Sequence, residues 1–196
     1  MPVPLSDDGV DLLFQSARTH RHWQDRPVDE ELLRRIYELA RLGPTSANCS
    51  PMRVLYIRTP EAKERLLPLL DKGNVERVRA APVTAMLASD LDFWQQMDVL
   101  MPGANAKSWF EGDPVNIERT SVRNAWLQGG YFIMAARSLG LDCGPMGGFD
   151  SAGVDAEFFA GTPWHSTFLV NLGYGDPAKL RPRNPRLEVD FACRFV

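Results

Sequence analysis

Between residues 125 and 136 only Gln128 is plainly polar. A helix that is apolar nearly all round is covered on most of its sides. Residues 116–139 are therefore expected to form a long helix around which the rest of the chain packs. Gly129 and Gly130 lie inside it, and each glycine weakens a helix by roughly 1 kcal/mol against alanine. Either that weakness is tolerated, or the missing side chains admit a close helix–helix approach, which would suit a subunit interface.

The remaining elements are read around that helix. Val10, Leu13, Phe14 and Ala17 recur at helical spacing, with Ser6 as N-cap. A second helix follows Asp29, with Leu32, Ile36, Leu39 and Ala40 as its buried stripe, and Gly43-Pro44 stops it. Residues 53–58, 83–88 and 166–172 read as strands, and Thr59-Pro60 opens a helix. Residues 90–114 have no clean period but carry Phe93, Trp94, Trp109 and Phe110. They suit either a lid or two short helices packed on the core. The last residues follow a proline-rich stretch and are placed to reach away from their own domain. With no repeat, linker or composition shift, the 196 residues are read as one domain.

Composition excludes several classes. The net charge of −3 leaves no electrostatic footprint for nucleic acid. No apolar run is long enough to span a membrane, and the N-terminus lacks signal-peptide character. Cys49, Cys143 and Cys193 are odd in number and far apart, which argues against a disulfide framework or a zinc site and for a reducing cytoplasm. His20 and His22 have no ligand cluster beside them, so no metal is expected. "GYGDPA" at 173–178 mimics a dinucleotide fingerprint, but Pro177 interrupts it and too little chain follows for a second strand with its acidic residue.

What remains are polar or glycine-rich patches: "ARTHRHW" (17–23), "GPTSANCSP" (43–51), "GPMGGF" (144–149) and "KLRPRNPR" (179–186). Each alone has a bland reading as a helix end, a loop or a charged tail. Taken in order they resemble the flavin-dependent nitroreductase family across essentially the whole chain. The likeness is to its malonic semialdehyde reductase branch, from pyrimidine degradation. The resemblance implies an α+β fold, a central mixed sheet flanked by helices, and a homodimer. It implies FMN as cofactor, NADH or NADPH as electron donor, and a small aldehyde as substrate. Nitro-compound or quinone reduction, or flavin binding without turnover, are the alternatives.

Carried over residue by residue, the family's Arg-Ser-x-Arg-x-aromatic run reads here Arg18-Thr19-His20-Arg21-His22-Trp23, and it leaves open which of Arg18, His20 and Arg21 meets the flavin phosphate. The loop Pro44, Thr45, Ser46, Asn48 would approach the flavin from the partner subunit, with Ser50 where relatives carry Gln. Asn74 would meet the pyrimidine edge of the ring. Pro145, Met146, Gly147 and Gly148 would line its reactive face, with Gly147 where many relatives carry Glu. Arg181 and Arg183 would close on the phosphate. Arg53 and Lys107 are candidate partners for a substrate carboxylate, and Trp94 and Trp109 candidate water excluders. Phosphate recognition suits this composition, because guanidinium forks supply several charge-assisted donors to one dianion.

Overall fold

The computed structural model describes residues 2–196. Its centre is a four-stranded sheet of β1 (Met52–Ile57), β2 (Val83–Asp90), β3 (Asp142–Met146) and β4 (Trp164–Gly173), in the order β1-β2-β4-β3. Every neighbouring pair is antiparallel, and parallel pairing is confined to an isolated bridge of Thr19 with Cys143. The sheet of this chain is thus antiparallel rather than mixed, because each connection returns the chain to run against its neighbour. All eight residues of β2 are buried, as a central strand covered on both faces requires.

The helices are α1 (Asp7–Val10), α2 (Glu30–Ala40), α3 (Pro60–Leu66), α4 (Lys72–Ala80), α5 (Met97–Leu100), α6 (Pro114–Ser138), α7 (Ser151–Phe158) and α8 (Val189–Ala192). The expected long helix is α6, begun at Pro114 and capped by Asp113, whose carboxylate accepts from the Asn116 N–H at 3.0 Å. It ends where Gly140, at φ +80°, turns the chain and Leu141 N–H closes on the Ala136 carbonyl at 3.0 Å. Phe132, Ala125 and Ala136 of α6 join Leu33 and Ile36 of α2 and Leu87 of β2 in the main core. A second core lies across the sheet, with Leu66, Val78, Met86, Val154 and Leu169.

Some expectations change. α6 is not covered all round: Val122, Trp126 and Leu127 remain exposed in the chain. Gly129 admits the sheet rather than a helix, since a Cβ there would sit 2.5 Å from Phe168 Cζ, while Gly130 faces open space. The buried stripe of α2 is Leu33, Ile36 and Ala40, with Leu32 and Leu39 partly covered. The N-terminal stripe is only partly covered: Val10, Leu13 and Ala17 are half-buried and Phe14 is 60% exposed, while Ser6 caps the Gly9 N–H as expected. Residues 90–114 form short helical turns packed on the core, burying Phe93, Met97, Ala106 and Phe110 around Cys49. No helix among the described residues is long and apolar enough to cross a membrane.

Candidate functional site

The two basic patches converge. Arg18, Thr19, His20 and Arg21 from one end of the chain, and Arg181 and Arg183 from the other, line one cleft of about 490 Å³. The arms clasp each other. Arg18 Nη2 donates to the Arg181 carbonyl, and Arg183 Nη2 donates to the carbonyls of Gln15 (2.6 Å) and Ala17 (2.8 Å). Among the described residues no carboxylate pairs with Arg18, Arg21, Arg77, Arg181 or Arg183. The carboxylate that does line the cleft, Asp176, pairs with Lys179 at 3.7 Å, so the gathered arginines still repel one another and an anion in the cleft reduces that cost.

Arg77 is not among the residues that the sequence patches single out. Burial, and then the charges of Arg21 and Arg181, hold its pKa below the usual arginine value, which sets it beside the cleft. Asn74 and Arg77 stand three residues apart on α4, so they share a face. That spacing is the signal the sequence offers. Asn74 is buried, and its amide works within the chain: Nδ2 donates to the Gly148 carbonyl at 2.8 Å, and Oδ1 accepts from Arg77 Nη1 at 3.1 Å. The Asp71 N–H reaches the same Gly148 carbonyl at 3.1 Å.

Pro145 and Met146 close β3 on the edge of the sheet, and Gly147 and Gly148 follow. A Cβ on Gly148 would lie 2.4 Å from Asp71 Oδ2 and 2.9 Å from Asn74 Nδ2, so a side chain there would have to displace both. A Cβ on Gly147 would meet nothing within 4 Å, and that residue is exposed. The turn thus presents backbone, not side chain, to whatever lies over it. Hydrogen bonds thus link Arg77 through Asn74 to the Gly148 carbonyl, and the charges of Arg21 and Arg181 reach Arg77 from the cleft.

The loop at 43–51 is not on that path. None of Pro44, Thr45, Ser46 and Asn48 lines the arginine cleft. The loop leads into β1, at the opposite edge of the sheet from β3, about 14 Å away at the usual strand spacing. It is nonetheless rigidly built. The Ser46 N–H donates to Asn124 Oδ1 at 2.8 Å, Tyr131 Oη donates to the Pro44 carbonyl at 3.0 Å, and Asn48 Nδ2 donates to the Leu100 carbonyl at 2.8 Å. Ala47, Asn48 and Ser50 all take positive φ, between 41° and 54°, a costly arrangement that the surrounding contacts must hold. Asn124 and Gln128, two of the three buried polar residues of α6, explain themselves here: Gln128 Oε1 accepts from the Met52 N–H just past the loop, at 2.9 Å.

Arg53 is removed from the candidates for a substrate carboxylate. Its guanidinium pairs with Asp90 at 2.6 Å and donates to the Ser50 and Met52 carbonyls, so its charge is engaged inside the protein. Lys107 stays available, with its ammonium 5.6 Å from the centroid of the Trp94 ring. Trp94 is partly covered and Trp109 half exposed.

The chain is similar to known proteins over nearly its whole length. A family model described as the nitroreductase family matches residues 15–174. A protein of Burkholderia lata, provisionally named an NADH dehydrogenase/NAD(P)H nitroreductase, is 56% identical over 191 residues, covering 97% of this chain and 98% of its own. A similarly named protein of Ralstonia nicotianae is 49% identical over the full length of both. Among solved structures, a nitroreductase family protein of Streptococcus pneumoniae superposes with a TM-score of 0.81 at 25% identity, over 94% of this chain and 98% of that one. A nitroreductase-like protein of Exiguobacterium sibiricum, solved in complex with FMN, gives 0.85 at 20% identity over the full length of both.

Proposed function

The chain belongs to the nitroreductase family, and from that premise we propose that it is an FMN-dependent oxidoreductase that takes electrons from NADH or NADPH and reduces malonic semialdehyde to 3-hydroxypropionate. The observation that carries the cofactor is the cleft in which Arg18, Arg21, Arg181 and Arg183 gather with no carboxylate paired to them, together with a glycine turn, hydrogen-bonded through Asn74 to Arg77, that offers bare backbone.

FMN, when bound, supplies the hydride chemistry. The chain's own groups bind and orient it. Arg18, Arg21, Arg181 and Arg183, with the Thr19 hydroxyl, would hold the phosphate. Arg77 would place a charge between that end and the turn at Gly147-Gly148, whose backbone faces the ring. Asn74 holds that turn in place. Lys107 is the cation we assign to the substrate carboxylate, with Trp94 and Trp109 excluding water around it.

The second wall of the site, the loop at 43–51, lies across the sheet from the first, so we place it over the flavin of a second copy in a homodimer. The exposed apolar residues of α6 and of residues 187–196, and the unpaired outer edge of β1, support that assembly. A reducing cytoplasm suits the free cysteines: burial raises the thiols of Cys49 and Cys143 to about 11 and about 12, which keeps them inert.

A panel of kcat/KM values for malonic semialdehyde, a nitroaromatic and a quinone, on FMN-loaded protein, tests the substrate. The names of the relatives favour the nitroaromatic as the second reading, and a higher kcat/KM for it would establish that reading instead. The cofactor is tested by the pigment released on denaturation, expected to be FMN and not FAD. Arg183→Ala should weaken FMN binding by roughly ten- to a hundredfold, since losing a charge-assisted partner costs about 1.5–3 kcal/mol. Unchanged affinity in a titration of the apoprotein would take Arg183 out of the site.

A further inference from the structure

His20 is the buried member of the run at 18–23, only 7% exposed although it lies along the cleft with its neighbours. Its N–H donates to the Cys143 carbonyl at 3.0 Å, and its ring Nε2 lies 3.3 Å from Asp142 Oδ1. The other carboxylate oxygen, Oδ2, accepts from the Gly175 N–H at 2.8 Å. Gly175 has no room for a side chain, because a Cβ there would sit 1.9 Å from His20 Nδ1. The imidazole therefore fills the space between the start of β3 and the turn that leaves β4.

That turn is the root of the second arginine arm. The Asp176 N–H, one residue on, donates to the His22 carbonyl at 3.0 Å, and the chain then runs through residues 177–179 to Arg181 and Arg183. One carboxylate, Asp142, thus holds the root of both arms: His20, between Arg18 and Arg21, on one side, and Gly175 on the other. The groups facing the imidazole are Asp142, Asp176 and Arg18; burial, helped by Arg18, lowers its pKa against the raising effect of the two carboxylates.

We propose that His20 and Asp142 are a positioning pair that sets the spacing of the two arginine arms and so governs affinity for the phosphate ester of the cofactor without touching it. The inference rests on the FMN reading above and assigns His20 a role other than direct contact.

The experiment compares FMN with riboflavin, which lacks the phosphate, in titrations of the apoprotein. Wild type is compared with His20→Met, His20→Gln and Asp142→Ala, with circular dichroism confirming the fold of each. His20→Met and Asp142→Ala should lose about tenfold or more in FMN affinity and leave riboflavin affinity unchanged. His20→Gln, which keeps an N–H toward Asp142, should recover most of the loss. Equal weakening of both flavins would mean a general structural role and overturn the proposal, as would an unchanged FMN affinity in His20→Met. The rise in Tm that inorganic phosphate gives the apoprotein is the second measurement, and it needs no flavin. A wild type that does not distinguish the two flavins counts against the FMN reading. A phosphate-induced rise equal in wild type and His20→Met counts against the pair.

Discussion

In the sequence Arg53, just after the loop at 43–51, and Lys107, in the aromatic segment 90–114, are equal candidates for a substrate carboxylate. Their surroundings separate them. Arg53→Ala would strand the Asp90 carboxylate, whose side chain is 9% exposed, without its partner at 2.6 Å. Removing one member of a buried pair costs about 3–5 kcal/mol, and because Arg53 is itself partly exposed we expect about 2 kcal/mol. Thermal denaturation should show the drop, and an unshifted Tm would mean that the pair contributes nothing. Lys107→Ala should leave Tm unchanged and raise KM for malonic semialdehyde without altering quinone reduction. Parallel loss of both activities would remove Lys107 as the carboxylate partner. Arg77 shows the opposite case. Its neighbours in charge, Arg21 and Arg181, are remote in sequence, so only its spacing from Asn74 hints at a role.

At the scale of elements, α6 separates its adjacent glycines. Gly129 lies against Phe168, which stacks on Trp126 with ring centroids 4.6 Å apart, so a methyl group at Gly129 has to displace a packed ring. Gly130 faces open space. Gly129→Ala should therefore destabilise, overpacking costing about 1–3 kcal/mol against a helix gain of about 1 kcal/mol. Gly130→Ala should stabilise the dissociated chain while weakening self-association, if α6 meets a second copy there. Equal Tm changes in the two variants would contradict this division. The strand that local signals conceal, β3, teaches a related lesson. "DCGPM" holds glycine and proline, which normally break a strand, yet β3 is an edge strand and Pro145 needs no ladder partner on its outer side. α4 is hidden because "KGNVERVRA" buries only Asn74 and Val78 and so carries almost no apolar stripe.

For the whole molecule, residues 187–196 make the sharpest prediction. Leu187, Val189, Phe191 and Phe195 are 63–88% exposed in the chain, too much apolar surface to leave in water without a use. On the homodimer proposed above, deleting residues 187–196 is expected to leave a folded monomer that binds FMN poorly. Sedimentation velocity, with circular dichroism as the check on folding, reads the result, and a truncated protein that remains a dimer would show that the tail is not what joins the copies.

Local rules settled much of this protein in advance. The cap at Ser6, the helix opened by Thr59-Pro60, the long helix over 116–139 and the strands near residues 53, 83 and 166 follow from preferences that act over a few residues, although Asp113 and Pro114 begin α6 two residues ahead of that expectation. The residue types needed for a phosphate were also legible, since arginine at both ends of the chain is plain in the sequence. Their meeting was not. Arg18 and Arg181 stand 163 positions apart, and the imidazole between the arms is held by a carboxylate on a strand that the local signals concealed. Whether two distant groups share a cleft depends on how the sheet, α4 and α6 pack, which is a balance summed over the whole chain. The same packing sends the loop at 43–51 to the far edge of the sheet, where no preference of its own residues would have placed it.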